Sequence, residues 1–234
     1  MQDAQQNLGK LIGSGISNYP FKHILVEDFL DSRELNLLQS DLDLLEKTPE
    51  SKRYVSDHGD KREWKEFPRE LPHLTKFLNL LSSEEFVSNL KKIFNIPEDI
   101  NILSDPTYDG GGYVISPPGS FLRYHADFNY SSKAEKYRVL NILFYLNEDY
   151  QDDHGGELHL LDSQTKTVEK RVAPKANTLL GFLTDDISFH GVSIIRKRPR
   201  RSFNIYYYSD KPISEDQATI PHKTIWVGEN AHDD

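Results

Sequence analysis

The sequence predicts a mainly β protein in which about three helices precede a closed or double-sheet body of short strands. Between residues 31 and 94, apolar side chains recur every three or four residues, which is the period of an amphipathic helix. After Pro97 the period changes to two, and clusters of Gly, Pro and Asp separate the short runs. Because no helical period comes between these runs, the pattern argues against a parallel βαβ fold.

Three helical runs are predicted before the strands, each with its apolar residues on one face. The first follows a cap at Asp31 or Ser32 and stops before Pro49, since the residue that precedes a proline disfavours helical geometry. The third follows a capping-box pattern, in which Ser82 comes three residues before Glu85. The apolar positions of the three runs span residues 35–45, 74–81 and 86–94.

We expect one domain over residues 1–234, with a helical part at about 19–104, a β core at about 105–210 and a polar tail at 211–234. The charged segment 50–66 is predicted to be a long mobile loop. The predicted strands of the core are residues 113–116, 121–125, 138–147, 157–161, 167–172, 177–182, 189–196 and 202–209.

The charge and the amino-acid composition exclude several classes of function. The chain has 28 basic and 37 acidic residues, and the net charge of −9 disfavours general binding to nucleic acid or to an anionic membrane. It has no cysteine, which excludes disulfides, thiolate metal sites and cysteine nucleophiles, so any metal ligands must be His, Asp or Glu. Neither a signal peptide nor a membrane span is visible, and we expect a cytoplasmic protein. The sequence indicates no oligomeric state.

A metal site is predicted from His125, Asp127 and His190. His125 and Asp127 are two residues apart near the end of a strand, so their side chains point to the same side. His190 in another strand would complete a two-histidine, one-carboxylate set, which leaves positions open on ferrous iron. The His-x-Asp pattern also begins at His58 and His232, but those copies lie in the predicted loop and tail, where no strand fixes the side chains.

The last predicted strand offers a site for an organic carboxylate. One of its faces carries Arg200, Ser202 and Asn204, and a guanidinium can bind a carboxylate at two points. The longest strand likewise has a mixed face and a wholly apolar face, as in a small barrel that holds a ligand. Arg201 is the alternative anchor if the register shifts by one residue. Arg200 also belongs to a basic run, which is typical of a solvated loop.

These residues resemble the 2-oxoglutarate- and Fe(II)-dependent oxygenases, specifically the prolyl 4-hydroxylase-like branch. The triplet and Arg200 carry the resemblance, together with motifs in the same order along residues 71–210. The motifs are Asp105-Pro106 leading into Gly110-Gly111-Gly112, Pro118-Gly119-Ser120-Phe121-Leu122, Leu143-Phe144-Tyr145-Leu146-Asn147, Gly155-Gly156-Glu157-Leu158, Pro174-Lys175-Ala176-Asn177 and Ser188-Phe189-His190-Gly191-Val192.

The resemblance implies a double-stranded β-helix, or cupin-like jelly-roll, with iron on His125, Asp127 and His190. It also implies 2-oxoglutarate as cosubstrate and O2, with ascorbate as a reductant. The reaction would hydroxylate an aliphatic C–H, such as that of a prolyl residue, and release succinate and CO2. The residues matched to the cosubstrate are Arg200 and Tyr145 at its distal carboxylate, Ser202 beside them, and Val192 in the pocket wall.

Two comparisons with the family pattern refine this expectation. A tyrosine that some members place ten residues before the first histidine corresponds to Ile115, which questions the cosubstrate contacts on that strand. Related halogenases replace the metal carboxylate with a small residue, whereas Asp127 is present and favours oxygenation.

Several alternatives stay open. The chain could be an iron dioxygenase that needs no 2-oxoglutarate and acts on a small metabolite, or a non-catalytic module that binds a ligand or peptide. Substrate contacts are expected from residues 128–133 and 50–66, and Arg123 or Arg138 could contact an anionic substrate. His154 and His159 are interpreted as a turn residue and a strand residue with a local hydrogen-bond partner.

Overall fold

The computed structural model describes residues 2–50, 52–56, 59–213 and 221–228. Within those residues the chain forms four helices: α1 (Gln2–Gly13), α2 (Ser32–Leu45), α3 (Pro72–Ser82) and α4 (Glu84–Phe94). The strands are β1 (His23–Val26), β2 (Lys52–Ser56), β3 (Gly59–Trp64), β4 (Ile102–Ser104), β5 (Gly112–Ser116), β6 (Leu122–Ala126), β7 (Tyr130–Ser131), β8 (Lys136–Tyr145), β9 (Leu158–Leu161), β10 (Val168–Val172), β11 (Thr178–Leu183), β12 (His190–Val192), β13 (Arg200–Ser209) and β14 (Ile225–Trp226).

The strands form two antiparallel sheets. The larger has the order β1-β11-β8-β13-β5-β3-β2, with β4 on β13 and β7 on β8. The smaller has the order β10-β9-β12-β6-β14. A cluster of apolar side chains from both sheets, including Leu143 and Leu180 of the larger and Leu158 and Leu160 of the smaller, fills the space between them. The predicted mainly β body with helices before it is therefore confirmed.

The helices cover the outer face of the larger sheet. Every second residue of β8 and β13 points toward them, and these residues join one core cluster with the helices: Leu140, Ile142, Phe144, Phe203, Ile205 and Tyr207. Phe144, for example, lies 4.9 Å from Phe77 of α3, measured between ring centroids. The alternation predicted for both strands is confirmed, and it turns the mixed face of each strand toward the smaller sheet.

The helix caps agree with the sequence at α2 and differ at α4. The Asp31 carboxylate accepts a hydrogen bond from the Glu34 N–H at 2.8 Å, as an N-cap does. At α4 the predicted cap Ser82 is wrong, since it is the last residue of α3. Ser83 has the extended backbone of a cap, and its hydroxyl accepts from the Phe86 N–H at 3.2 Å. Helix α1, whose Leu8 and Leu11 are buried, was not predicted.

The prediction of a mobile loop at 50–66 is wrong for the described part of that segment. Strands β2 and β3 form a hairpin, and β3 pairs with β5 of the larger sheet. Trp64 is buried against Tyr113, at 5.6 Å between ring centroids, while Lys61 forms an ion pair with the buried Glu63 at 2.6 Å. Charged side chains of the hairpin pair with one another, as Arg53 does with Asp60, so their number did not indicate a loop.

The prediction of a polar tail at 211–234 is also wrong in part. Residues 221–228 lie against the smaller sheet, where β14 pairs with β6. The predicted helical part at 19–104 likewise contains four strands, β1 to β4. In the described part of the chain, no helix has the length and apolar character needed to cross a membrane.

Candidate metal centre

The smaller sheet brings His125, Asp127 and His190 together. His125 lies on β6 directly opposite His190 of β12, and Asp127 follows the end of β6. The Asp127 carboxylate lies 3.4 Å from Nε2 of His125 and 3.6 Å from Nε2 of His190. One ligand atom from each residue lies within 4.8 Å of the others. All three predicted side chains therefore converge on one point.

Backbone carbonyls orient both imidazoles. Nδ1 of His125 lies 2.8 Å from the carbonyl oxygen of Arg123, and Nδ1 of His190 lies 2.8 Å from that of Ser188. A carbonyl only accepts, so each Nδ1 carries the proton and donates it. Nε2 of each ring therefore faces Asp127, which is the arrangement that a metal-binding histidine requires.

Two residues of β8 hold the Asp127 carboxylate. Oδ2 of Asp127 accepts hydrogen bonds from Arg138 at 3.0 Å and from the Asn141 amide at 2.6 Å. Arg138 also donates to the Asn141 Oδ1 at 2.9 Å, and its guanidinium lies 3.5 Å from the ring centroid of Tyr206. The sequence interpretation did not find this role for Arg138 or Asn141, because the contacts cross from one sheet to the other.

Charge and burial set the protonation states that a metal needs. Burial alone would raise the pKa of Asp127, but Arg138 and the two imidazoles hold that pKa well below its usual range. Burial, together with the charge of His125, lowers the pKa of His190 to about 4. At neutral pH the site therefore presents an anionic carboxylate and a neutral His190 imidazole, the forms that bind metal ions.

The donor set fits ferrous iron. Two imidazole nitrogens and one carboxylate oxygen are the facial set of non-haem Fe(II) oxygenases, and this set leaves coordination positions for other ligands. Metal–ligand bonds of about 2.1 Å at right angles place neighbouring donors about 3 Å apart. Nε2 of His125 lies 3.4 Å from Oδ1 of Asp127 and Nε2 of His190 lies 3.6 Å from Oδ2, so each imidazole is already close to one carboxylate oxygen.

A second group of polar atoms lies on the inner face of the larger sheet. Arg200 is buried, and it donates from Nε to the Gly156 carbonyl and from Nη1 to the Ser202 hydroxyl, both at 3.1 Å. Its Nη2 and the Tyr145 hydroxyl are buried without a hydrogen-bond partner. The Tyr145 ring centroid lies 5.0 Å from the guanidinium carbon of Arg200. Two adjacent donors without acceptors are suited to a carboxylate.

The other residues matched to the cosubstrate lie around this group. The Ser202 hydroxyl donates to the Asn204 Oδ1 at 3.0 Å, so it keeps its oxygen oriented toward Arg200. Val192 packs against the apolar cluster between the sheets, which includes Tyr145. These positions are consistent with the predicted pocket wall, and the cosubstrate contacts themselves stay predictions.

The alternative anchor Arg201 lies on the opposite face of β13. It donates to the Tyr113 hydroxyl at 2.6 Å and forms an ion pair with Glu46 at 2.5 Å, beside helix α2. Ile115 belongs to the core cluster on that same outer face, so it does not face the space between the sheets. The register therefore directs Arg200, and not Arg201, toward the space between the two sheets.

The remaining histidines of the patterns have other surroundings. His159 lies 2.9 Å from the Tyr124 hydroxyl, the local partner that was expected for a strand histidine. His154 ends a single turn of 3₁₀ helix, and its Nδ1 accepts from the Gln151 N–H at 3.3 Å. His58 and His232, which begin the other two His-x-Asp patterns, lie outside the described residues.

Solved structures show the same fold at low sequence identity. A Pseudomonas putida prolyl-4-hydroxylase is 20% identical with a TM-score of 0.58, covering 88% of this chain and 97% of that one. A Trichoplax adhaerens prolyl hydroxylase in complex with a hypoxia inducible factor peptide is 17% identical with a TM-score of 0.61, covering 89% and 92%. A Phytophthora capsici prolyl 4-hydroxylase is 17% identical with a TM-score of 0.62, covering 92% and 68%. The predicted jelly-roll is thus confirmed.

The sequence of the β core matches a known family. No curated protein matches this chain. Residues 111–208 match the model of the 2OG-Fe(II) oxygenase superfamily, and this range contains the three candidate metal ligands, Tyr145 and Arg200. The predicted resemblance to this superfamily is confirmed for the β core.

Proposed function

We propose that this chain is an Fe(II)- and 2-oxoglutarate-dependent dioxygenase that hydroxylates an aliphatic carbon of a prolyl residue in a peptide or protein. One observation carries the proposal: the donor set of His125, Asp127 and His190 lies between the same two sheets as the unpaired donors of Arg200 and Tyr145. A catalyst that couples a metal to an organic acid needs both groups in one site.

Each group has a defined task. His125, Asp127 and His190 would hold Fe(II), and the Asp127 carboxylate would offset one of its two positive charges. Arg200 and Tyr145 hold the distal carboxylate of 2-oxoglutarate, and Ser202 fixes the guanidinium through its hydroxyl. Once bound, the iron and the 2-oxo acid supply the oxidation: O2 is consumed, 2-oxoglutarate becomes succinate and CO2, and a substrate C–H becomes C–OH.

The proposal of a peptide substrate rests on the solved structures and on an open groove formed in part by the loop that follows Asp127. The neighbours named above are prolyl hydroxylases, and one of them holds a peptide. In this chain a groove of about 530 Å³ lies between residues 128–133, which directly follow the metal carboxylate, and residues 221–224. An extended peptide would lie in this groove with one residue near the iron.

The test measures succinate produced from 2-oxoglutarate by the purified protein with Fe(II), together with oxygen-atom addition to candidate peptides by mass spectrometry. We expect Asp127→Ala to abolish both products. Arg201→Ala is the control for Arg200→Ala, because the two residues are adjacent and face opposite ways. Failure of the wild-type protein to bind iron or 2-oxoglutarate would refute the proposal.

The same variants separate the alternatives. An iron dioxygenase that needs no 2-oxoglutarate would keep its activity in Arg200→Ala, whereas the proposed enzyme would lose most of it. A non-catalytic module would bind ligand without consuming oxygen. Ascorbate as a reductant and a cytoplasmic location stay predictions, for which activity with and without ascorbate and the distribution of the protein in cell fractions are the measurements.

A further inference from the structure

The C-terminal strand β14 lies along β6, the strand that carries His125 and ends directly before Asp127. In the register of the pair, Trp226 is opposite His125 and Ile225 is opposite Ala126. The backbone N–H of Val227 continues the ladder with a hydrogen bond of 2.9 Å to the Tyr124 carbonyl. Because the order of this sheet ends in β6 and β14, the C-terminal strand keeps β6 from being the exposed edge of the sheet.

The Trp226 side chain contacts the imidazole of His125. The two ring centroids are 4.9 Å apart and the ring planes are inclined by 37°. The His190 ring is the second aromatic neighbour of His125, at 4.5 Å. The Arg123 guanidinium carbon lies 5.7 Å from the indole centroid, while the carbonyl of the same residue accepts the Nδ1 proton of His125. Trp226 therefore belongs to the set of groups that surround this ligand.

An imidazole that binds a metal must hold both its direction and its ring plane. The hydrogen bond to the Arg123 carbonyl fixes the tautomer and one point of the His125 ring, but the ring can still tilt about that point. A large flat side chain against the ring removes this freedom, and it loses little entropy because it has only two rotatable bonds. The contact with Trp226 supplies this restraint.

We propose that Trp226 is a positioning residue, which holds the His125 imidazole in the plane that metal binding requires. The proposal rests on the proposed function, since it takes His125 to be a metal ligand. It assigns the C-terminal strand a part in the metal centre, although the sequence alone indicated a polar tail there. Any flat aromatic ring should serve at this position, and a small side chain should not.

The first experiment uses the fluorescence of the two tryptophans in the chain. Trp64 is buried in the core cluster on the helical side of the larger sheet, and Trp226 lies beside His125. Co(II), which quenches nearby indoles, is titrated into the metal-free wild type and Trp226→Phe. The variant reports the emission of Trp64, and the difference between wild type and variant reports that of Trp226. We expect saturating Co(II) to remove most of the Trp226 emission and to leave the Trp64 emission nearly unchanged. Equal quenching in both proteins would refute the placement.

The second experiment measures Co(II) affinity and the visible absorption bands of the bound ion in wild type, Trp226→Ala and Trp226→Phe. Loss of a group that orients a metal ligand weakens binding by about 10- to 100-fold. We expect that loss, with altered bands, in Trp226→Ala and recovery to within about threefold of wild type in Trp226→Phe. The melting temperature of each metal-free variant shows whether it is folded.

The outcomes distinguish this proposal from the proposed function. If Trp226→Ala is folded and binds Co(II) with wild-type affinity and bands, Trp226 does not position His125, and the metal site is unaffected. If Phe fails to restore the affinity lost in Ala, a role through ring contact is refuted. If the wild type binds no Co(II) at all, the metal site itself is refuted and this proposal with it.

Discussion

Replacing Arg138 by leucine tests how the metal carboxylate is held. Arg138 is only 4% exposed, and its guanidinium forms the ion pair with Asp127 at 3.0 Å. Leucine removes the charge and the donors while keeping apolar volume next to Tyr206. Lys136→Leu is the control, because Lys136 lies on the same strand but is partly exposed in its ion pair with Asp210.

The expected cost follows from the partners that remain. Removing one member of a buried ion pair costs about 3–5 kcal/mol, since the other charge is left without compensation. Asp127 would keep the hydrogen bond from Asn141, so we take the lower end, about 3 kcal/mol. For a chain of this size that corresponds to a fall of about 6–12 °C in melting temperature. The exposed pair of Lys136 should contribute at most about 1 kcal/mol.

Metal should reduce this penalty, because a bound cation supplies the positive charge that Arg138 gave to Asp127. Thermal melts of wild type and Arg138→Leu, without metal and with saturating Co(II), measure how far the metal reduces the loss of stability. Because Co(II) binding stabilises the folded state of both proteins, the difference between them is compared at each condition. We expect a larger difference from wild type without metal than with it. If metal-free Arg138→Leu melted within about 2 °C of wild type, as the control Lys136→Leu should, the reasoning would be refuted.

The same variant should change the response to acid. The folded-state pKa of Asp127 is depressed, so its ionisation stabilises the fold above the unfolded pKa and this contribution is lost as the pH falls. Without Arg138 the depression is smaller. We therefore expect the free energy of unfolding to fall less steeply below about pH 4 in Arg138→Leu than in wild type. Urea titrations at several pH values measure the slope, and parallel curves would contradict the assignment of Arg138 as the main stabilising charge.

Three further predictions follow from single contacts. Tyr145→Phe removes one unpaired donor, and we expect a rise of about tenfold or more in the 2-oxoglutarate concentration needed for half-maximal succinate formation, with unchanged Co(II) affinity. Burial raises the pKa of Asp185 to about 6, so the folded state binds this proton more tightly and stability falls as the pH rises from about 4 to 6. Asp185→Asn should remove this part of the pH dependence. If the urea midpoints of the variant and the wild type changed with pH in the same way, the prediction would be contradicted. Gly112→Ala should cost more than about 1 kcal/mol in urea unfolding, because the residue has a φ of 84° and an added Cβ would lie 2.3 Å from the Trp64 carbonyl oxygen.

Local periodicity was enough to predict that two of the candidate metal ligands lie together. His125 and Asp127 share one side of the chain because they are two residues apart, and this holds whatever the rest of the fold is. Periodicity could not decide between Arg200 and Arg201 as the carboxylate anchor. Alternation defines the two faces of the strand but does not say which face points toward the other sheet. The ion pair of Arg201 with Glu46, which caps the C-terminus of α2 more than 150 residues earlier, decides that choice in the structure.

The role of Arg138 could not be derived from alternation. Strict alternation from Asn141 on the inner face would turn Arg138 outward with Leu140. In the structure the pairing of β8 with β13 shifts between Leu140 and Arg138, so that Val139 is an extra residue. This bulge turns Arg138 to the inner face of the sheet, and nothing in the surrounding sequence marks the position of the bulge. The contact of Trp226 with His125 was missed for a related reason, because two residues of strand carry too little pattern to be recognised.

The site divides its groups between the two sheets, and this division determines what the core must do. The smaller sheet supplies the candidate metal ligands, whereas β8 and β13 of the larger sheet supply Arg138, Asn141, Tyr145 and Arg200. The distance between metal and cosubstrate therefore depends on the apolar cluster that separates the sheets. Because interiors are closely packed, a change of volume in that cluster displaces one sheet relative to the other and alters both halves of the site together. Cavity-forming substitutions at Leu160 or Leu180 should accordingly weaken iron and 2-oxoglutarate binding in parallel, although neither residue is a proposed ligand of either.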